Sequence, residues 1–199
     1  MDEAHAKGKK AAAHSHGAEA AKRAIRAGID SIEHGSFLDD EALKMMAERG
    51  TYFVPTMLAA ESLRQLLAAG GRMDPRTERK AKLAIDAVDA TVSKAVKMGV
   101  RIAFGTDAGV FAHGRNAEEF GLLAARGMRP VDVLKAATSV NAGLFGIAER
   151  VGTLQAAKLA DIVAIPGNPL ENIRQTEKVA FVMKEGRIHR HDAGTQTGK

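Results

Sequence analysis

Ala11-Ala-Ala-His-Ser-His-Gly17, Asp30-Ser-Ile-Glu-His-Gly35 and Ala103-Phe-Gly-Thr-Asp-Ala-Gly109 are the stretches that decide how this chain folds. In each, a short apolar run ends on a residue that can bind a metal or move a proton: His14, His34 and Asp107. A helical pattern follows each run. Short apolar runs bounded by turn residues read as buried strands. Strands that alternate with helices imply a parallel sheet, and in a parallel α/β barrel the carboxyl ends of the strands converge on one face, where active sites are built. Two imidazoles and a carboxylate meeting there suit a borderline divalent cation such as zinc.

Working outward, the first strand is expected over Ala11–His14 and the second over Ile29–His34. The helix between them covers Gly17–Ala27, with Ala20, Ala21, Ala24 and Ile25 on one stripe and Gly28 as its stop. Asp39 or Asp40 can N-cap a helix that runs to Arg49 and ends at Gly50. A third strand is expected over Tyr52–Thr56. A long helical region follows, broken at Gly70-Gly71, restarted at Asp74-Pro75 and closed by Gly99. Val100–Thr106 reads as the fourth strand. Asn116 can cap a short helix, and Pro130 starts another that runs into Ala137.

The pattern is thus strand and helix, four times over, with strands apolar on both faces as buried parallel strands are. Four such units make half of an eight-stranded barrel, with two edge strands left open to pairing. Residues 1–150 form this unit. A small β element follows over residues 151–190: Asp161–Ile165 is β-rich, and Val179–Lys184 and Arg187–Arg190 flank a hairpin turn at Glu185-Gly186. The run from His191 to Lys199 reads as a frayed tail.

Composition narrows the function classes. The 199 residues carry a formal net charge of +5, but Lys and Arg are dispersed and only 4% of residues are aromatic, which argues against a nucleic-acid surface. No stretch is apolar for long enough to span a membrane, and the N-terminus lacks the apolar segment of a secretory signal. Cysteine is absent, so disulfides and thiolate ligands are excluded, and a reducing cytoplasm is the expected compartment.

Taken together and in order, His-Ser-His-Gly, Ser-Ile-Glu-His-Gly, Gly-Thr-Asp-Ala-Gly and Leu-Ala-Asp-Ile-Val (159–163) resemble the amidohydrolase superfamily, and within it the imidazolonepropionase-like and prolidase-like enzymes. The resemblance implies a (β/α)8 TIM-like barrel with a small β-sandwich built from both chain ends. This chain would supply the C-terminal half of the barrel and, over 151–190, part of the sandwich. It also implies metal-dependent hydrolysis of a C–N bond in an amide, cyclic amide or dipeptide. His14 and His34 match metal ligands, and Asp107 matches the aspartate that binds metal and shuttles a proton from the attacking water to the leaving nitrogen. His16, His113 and, more weakly, Tyr52 match positions near the substrate. Arg115 is a candidate partner for a dipeptide carboxylate. Each of these also has a plainer reading: a strand-end histidine can be a structural hydrogen bonder, Asp107 a turn cap, and His113 or Arg115 an exposed loop residue. Glu33 is expected on the opposite strand face, as a structural partner.

Two parts of the resemblance have no counterpart here. The first-strand His-x-His pair and the strand-4 lysine that bridges two metals are missing, and Met1 falls inside what resembles the helix after strand 4. The expectation is a chain impaired on its own, completed by a second copy or by a separate N-terminal half. The alternative is a non-catalytic half-barrel whose role is to complete a partner.

Overall fold

The computed structural model describes residues 1–192 of the chain. A short helix α1 (Asp2–Ala6) leads into β1 (Ala12–Gly17), α2 (Ala18–Arg26), β2 (Ser31–Phe37), α3 (Asp40–Arg49) and β3 (Tyr52–Val54). Two helices follow without a strand between them, α4 (Met57–Ala68) and α5 (Pro75–Lys97). Then come α6 (Glu118–Ala125), α7 (Pro130–Lys135), a π-helical turn over Ala136–Val140 and α8 (Asn141–Leu144). The chain closes with β4 (Ile162–Ala164), a 3-10 turn over Ile173–Glu177, β5 (Phe181–Lys184) and β6 (Arg187–His191).

β1, β2 and β3 form a parallel sheet in that order. The register sets Ala13 beside Ile32, His14 beside Glu33 and Ile32 beside Phe53. Ile32 and Phe53 point to one face, where α2, α3, α5 and α6 cover them with Ile25, Leu43, Met46, Val88, Val92 and Leu123, all buried. The other face carries a smaller cluster of Val54, Ala103 and Leu144, with Tyr52 and Val140 packed against it.

The helix ends follow the sequence signals closely. Asp39 caps α3 by accepting the Ala42 amide at 2.9 Å, and Gly50 ends that helix in the left-handed conformation. Asp74 caps α5, with Pro75 in its first turn. At the hairpin, Glu185 and Gly186 both take positive φ (51° and 80°), the geometry that matches the twist of the flanking strands.

Four expectations change. β1 and β2 run past His14 and His34, ending at Gly17 and Phe37. The fourth strand is reduced to a parallel bridge between Phe53 and Ile102, held by Phe53 N–H to the Arg101 carbonyl (2.8 Å) and Ala103 N–H to the Phe53 carbonyl (2.9 Å). Beyond it, the Asn141 side chain takes the place of a neighbouring strand: its Oδ1 accepts the Phe104 amide at 3.0 Å and its Nδ2 donates to the Phe104 carbonyl at 2.9 Å. Asn116 does not cap α6; its side chain donates to Thr106 instead. At the far end, His191 belongs to β6, which pairs with β5, so the expected tail does not begin there. The remainder of that expectation, from residue 193 on, lies outside the described residues.

One close approach fixes the end of β2. Gly35 has φ 53°, and a Cβ added there would lie 2.5 Å from Phe53 Cε2 and 2.8 Å from Leu38 Cδ1. Gly35→Ala combines an unfavourable backbone conformation with overpacking against a fully buried phenylalanine. It is expected to lower stability by about 2–4 kcal/mol, read as a shift in the urea unfolding midpoint.

Candidate functional site

The site begins with a break in β2. In a regular strand His34 would share a face with Ser15, its register partner, and Glu33 would share one with His14. Instead His34 takes φ 69°, Gly35 follows at φ 53°, and the ladder to β1 slips between Ser15 and Gly17. Histidine tolerates the left-handed region better than most residues, though at a cost of about 1–3 kcal/mol. The result is that the His34 ring joins the two histidines of β1. Ring centroids are 4.5 Å apart for His14 and His34, and 5.1 Å for both His14–His16 and His16–His34.

Hydroxyl groups orient two of these rings. His34 Nδ1 lies 2.7 Å from Thr56 Oγ1, and His16 Nδ1 lies 3.0 Å from Ser36 Oγ. With Nδ1 engaged, Nε2 is the nitrogen each ring has left for a ligand. Burial, and then the charge of neighbouring histidines, pulls His34 and His16 below the usual imidazole range; the nearby Asp107 carboxylate partly offsets this for His34. Both shifts favour the neutral form of the ring, the form that binds metals.

Asp107 stands on the loop after the bridge residue Ile102, with φ 53°. The preceding residue, Thr106, is buried, and its hydroxyl accepts a hydrogen bond from Asn116 Nδ2 at 2.8 Å. Glu33 is half-buried; desolvation pushes its carboxyl upward, the Ser31 hydroxyl at 2.6 Å opposes that, and the negative charge of Asp107 adds to it.

His14, His16, His34 and Asp107 line one cavity of about 820 Å3. Its floor holds Thr56 and Ser36, and its wall is apolar, built by Ala59 and Leu63 of α4 and by Leu83, Ile85 and Val88 of α5, with Met73 between those helices and Lys80 at the edge. The donor set fits a divalent cation in kind: neutral imidazoles with a carboxylate close by. It is short in number, because among the described residues no three His, Asp or Glu side chains close on one point as a metal cluster. The rings pack against each other edge-on and stacked instead.

Other candidates lie elsewhere. Tyr52 is on a different cavity, of about 520 Å3, with Arg101, Met128 and Val140. It sits at the amino end of β3, and the side chain packs toward α8, so it does not line the histidine cavity. His113 is exposed on the loop before α6 and does not line the histidine cavity. Arg115 is already engaged: Nε and Nη2 each donate to Glu118 at 2.7 Å, and Nη2 also reaches Gln65. Two residues went unnoticed in the sequence. Thr56, at the carboxyl end of the third expected strand, had the right position for a site residue. Glu119 gave no signal, since it reads as one more acidic residue in a first helical turn. It is in fact fully buried, and its carboxylate accepts the Met57 and Leu58 amides at 2.9 and 2.6 Å.

This chain belongs to the amidohydrolase family, whose sequence profile matches residues 1–189. It is 33% identical over 194 residues to ochratoxinase of Aspergillus niger, covering 94% of this chain and 39% of that one. Among solved structures it is similar to a Xaa-Pro dipeptidase with methionine bound in its active site: TM-score 0.91, 41% identity, 95% of this chain and 47% of that one. The structure of the A. niger ochratoxinase matches with TM-score 0.81 and 31% identity, over 96% of this chain and 44% of that one. The chain thus spans about half the length of these solved relatives and about two-fifths of the curated one.

Burial drives the Glu119 carboxyl from 4.5 up to about 7, against the opposing pull of the two amides. Between those values the folded protein keeps a proton that the unfolded chain has released. Glu119 therefore contributes a stability that is complete below about pH 4.5 and declines as pH rises toward 7. Glu119→Gln is expected to flatten this component, seen by comparing urea midpoints of the two proteins at pH 5 and pH 7.5.

Proposed function

We propose that this chain provides the C-terminal half of a metal-dependent amidohydrolase active site, acting on the C–N bond of an amide, cyclic amide or dipeptide. The observation that carries the reading is the convergence of His14, His16, His34 and Asp107 on one cavity whose remaining wall is apolar. The parallel sheet is read as half of a (β/α) barrel, and β4, β5 and β6 as part of a small β-sandwich.

In this reading His14 and His34 hold a divalent cation, with zinc favoured by the imidazole donors. When bound, such a cation acidifies water and polarises an amide carbonyl. Asp107 takes the proton that the attacking water gives up and delivers it to the leaving nitrogen. His16, anchored by Ser36, faces the substrate. The apolar wall from Leu63 to Val88 accepts a bulky apolar side chain. Lys80 at the cavity edge forms no ion pair among the described residues, which leaves its ammonium for a substrate carboxylate. The substrate is a small molecule, not a nucleic acid or a membrane, and the absence of cysteine suits the cytoplasm. Among the described residues no helix is long and apolar enough to cross a membrane.

Two imidazoles hold zinc weakly, since catalytic sites use three protein ligands. The remaining ligands are assigned to residues outside this sequence, on a longer chain or on a partner that pairs with the open strand edges. That shortfall also favours a second reading, in which the chain is a non-catalytic half that completes a partner.

Zinc titration by calorimetry, alone and with a polypeptide carrying the first four βα units, separates the two readings. The first expects weak zinc binding by the chain that His34→Ala abolishes, and dipeptide hydrolysis in the mixture. There, Asp107→Asn lowers kcat by about 10²- to 10⁴-fold. Complex formation with neither zinc binding nor turnover favours the second reading.

A further inference from the structure

Thr56 occupies the N-cap of α4 but does not cap it. A threonine in that position ordinarily turns its hydroxyl onto the amides of the first turn. Here no side-chain cap is formed by Thr56, its backbone is left-handed (φ 49°, ψ 47°), and its Oγ1 lies against His34 Nδ1 at 2.7 Å. The amides it leaves are taken from a distant part of the chain. Glu119 of α6 accepts Met57 N–H with Oε1 at 2.9 Å and Leu58 N–H with Oε2 at 2.6 Å.

Glu119 is an expensive way to end a helix. Its side chain is fully buried, and removing a carboxylate from water costs free energy that a threonine cap, already in place, would avoid. The arrangement makes sense if the Thr56 hydroxyl is needed elsewhere. The same segment reaches the other side of the site as well: Asn116 donates to Thr106, the residue before Asp107. Residues 116–119 thus contact the chain next to Thr56, the hydroxyl partner of His34, and next to Asp107.

We propose that Glu119 is a positioning residue for His34. By holding the α4 amides it releases the Thr56 hydroxyl to the imidazole, which is thereby fixed with its proton on Nδ1 and Nε2 bare toward the cavity. The functional importance of this rests on the reading of the histidine cavity as the reaction centre. The coupling from Glu119 through Thr56 to His34 is a property of the chain itself and is measured without turnover.

The experiment is long-range proton–nitrogen correlation NMR of the histidine rings in the full chain at pH 8, with His34 signals assigned by their loss in His34→Ala. In the wild type the two ring nitrogens of His34 are expected at the well-separated shifts of a single tautomer. In Glu119→Ala, Thr56 is drawn back to the free amides, and the two shifts move toward each other as tautomers mix. Thr56→Val is expected to give the same change with Glu119 intact, and the double variant no further change. Glu119→Gln, whose carbonyl can keep one amide bond, falls between wild type and Glu119→Ala. It decides the matter should Glu119→Ala fail to fold. A purely structural Glu119 would lower the unfolding midpoint but leave the His34 signals unmoved in every folded Glu119 variant, and that result overturns the proposal. Zinc added to the same samples tests the underlying reading separately. It should perturb the wild-type His34 ring, with affinity about 10- to 100-fold weaker in the Glu119 variants, as for loss of a partner that orients a ligand. Zinc that leaves the wild-type ring untouched overturns the metal reading while the tautomer data still judge the coupling.

Discussion

The left-handed pair His34–Gly35 is the constraint on which the site depends. A strand alternates its side chains, and regular alternation would keep His34 on the opposite face from His14 and His16. Two successive positive φ angles break that alternation and bring three imidazoles together. The break is held from beneath by packing, because Phe53 and Leu38 fill the space in which a side chain at Gly35 would lie. The core and the site are therefore one device. The ring of Phe53, buried among α2, α3 and α5, sets the backbone that aims His34.

Around that break, electrostatics and hydrogen bonding work in the same direction. Desolvation favours the neutral form of His16 and His34, while hydroxyls of Ser36 and Thr56 engage Nδ1 of each ring. Neutral, oriented imidazoles are what a borderline cation requires, and the bonded partner of the second nitrogen is as much a part of such a site as the ligand. Asp107 lies close enough for its charge to be felt by both His34 and Glu33.

The chain belongs to the amidohydrolase family and covers about half the length of each solved relative. The stretch after α5 pairs with β3 by a single bridge, and Asn141 occupies the outward hydrogen-bonding groups of Phe104 with its own amide. A side chain that satisfies a strand edge in this manner removes the penalty of unpaired backbone groups without another strand. Pairing at that edge is thus limited to the residues that Asn141 leaves free.

Much of this was legible in the sequence, because local physics determined it. Asp39, Gly50, Asp74-Pro75 and Glu185-Gly186 act through the backbone of their own neighbours, so helix ends and the hairpin could be read directly. The apolar runs gave the parallel order of β1, β2 and β3, and the motifs around His14, His34 and Asp107 gave the family. What only the tertiary structure decided involves partners far apart along the chain. Tyr52 went to the other cavity because the amino end of β3 faces α8, a matter of which strand end a residue occupies after packing. Thr56 and Glu119 look ordinary in sequence, and their roles arise only when α6 is laid against the start of α4. Periodicity and capping rules see a few residues at a time, whereas a carboxylate that ends a helix 62 positions away is specified by the packing that buries it.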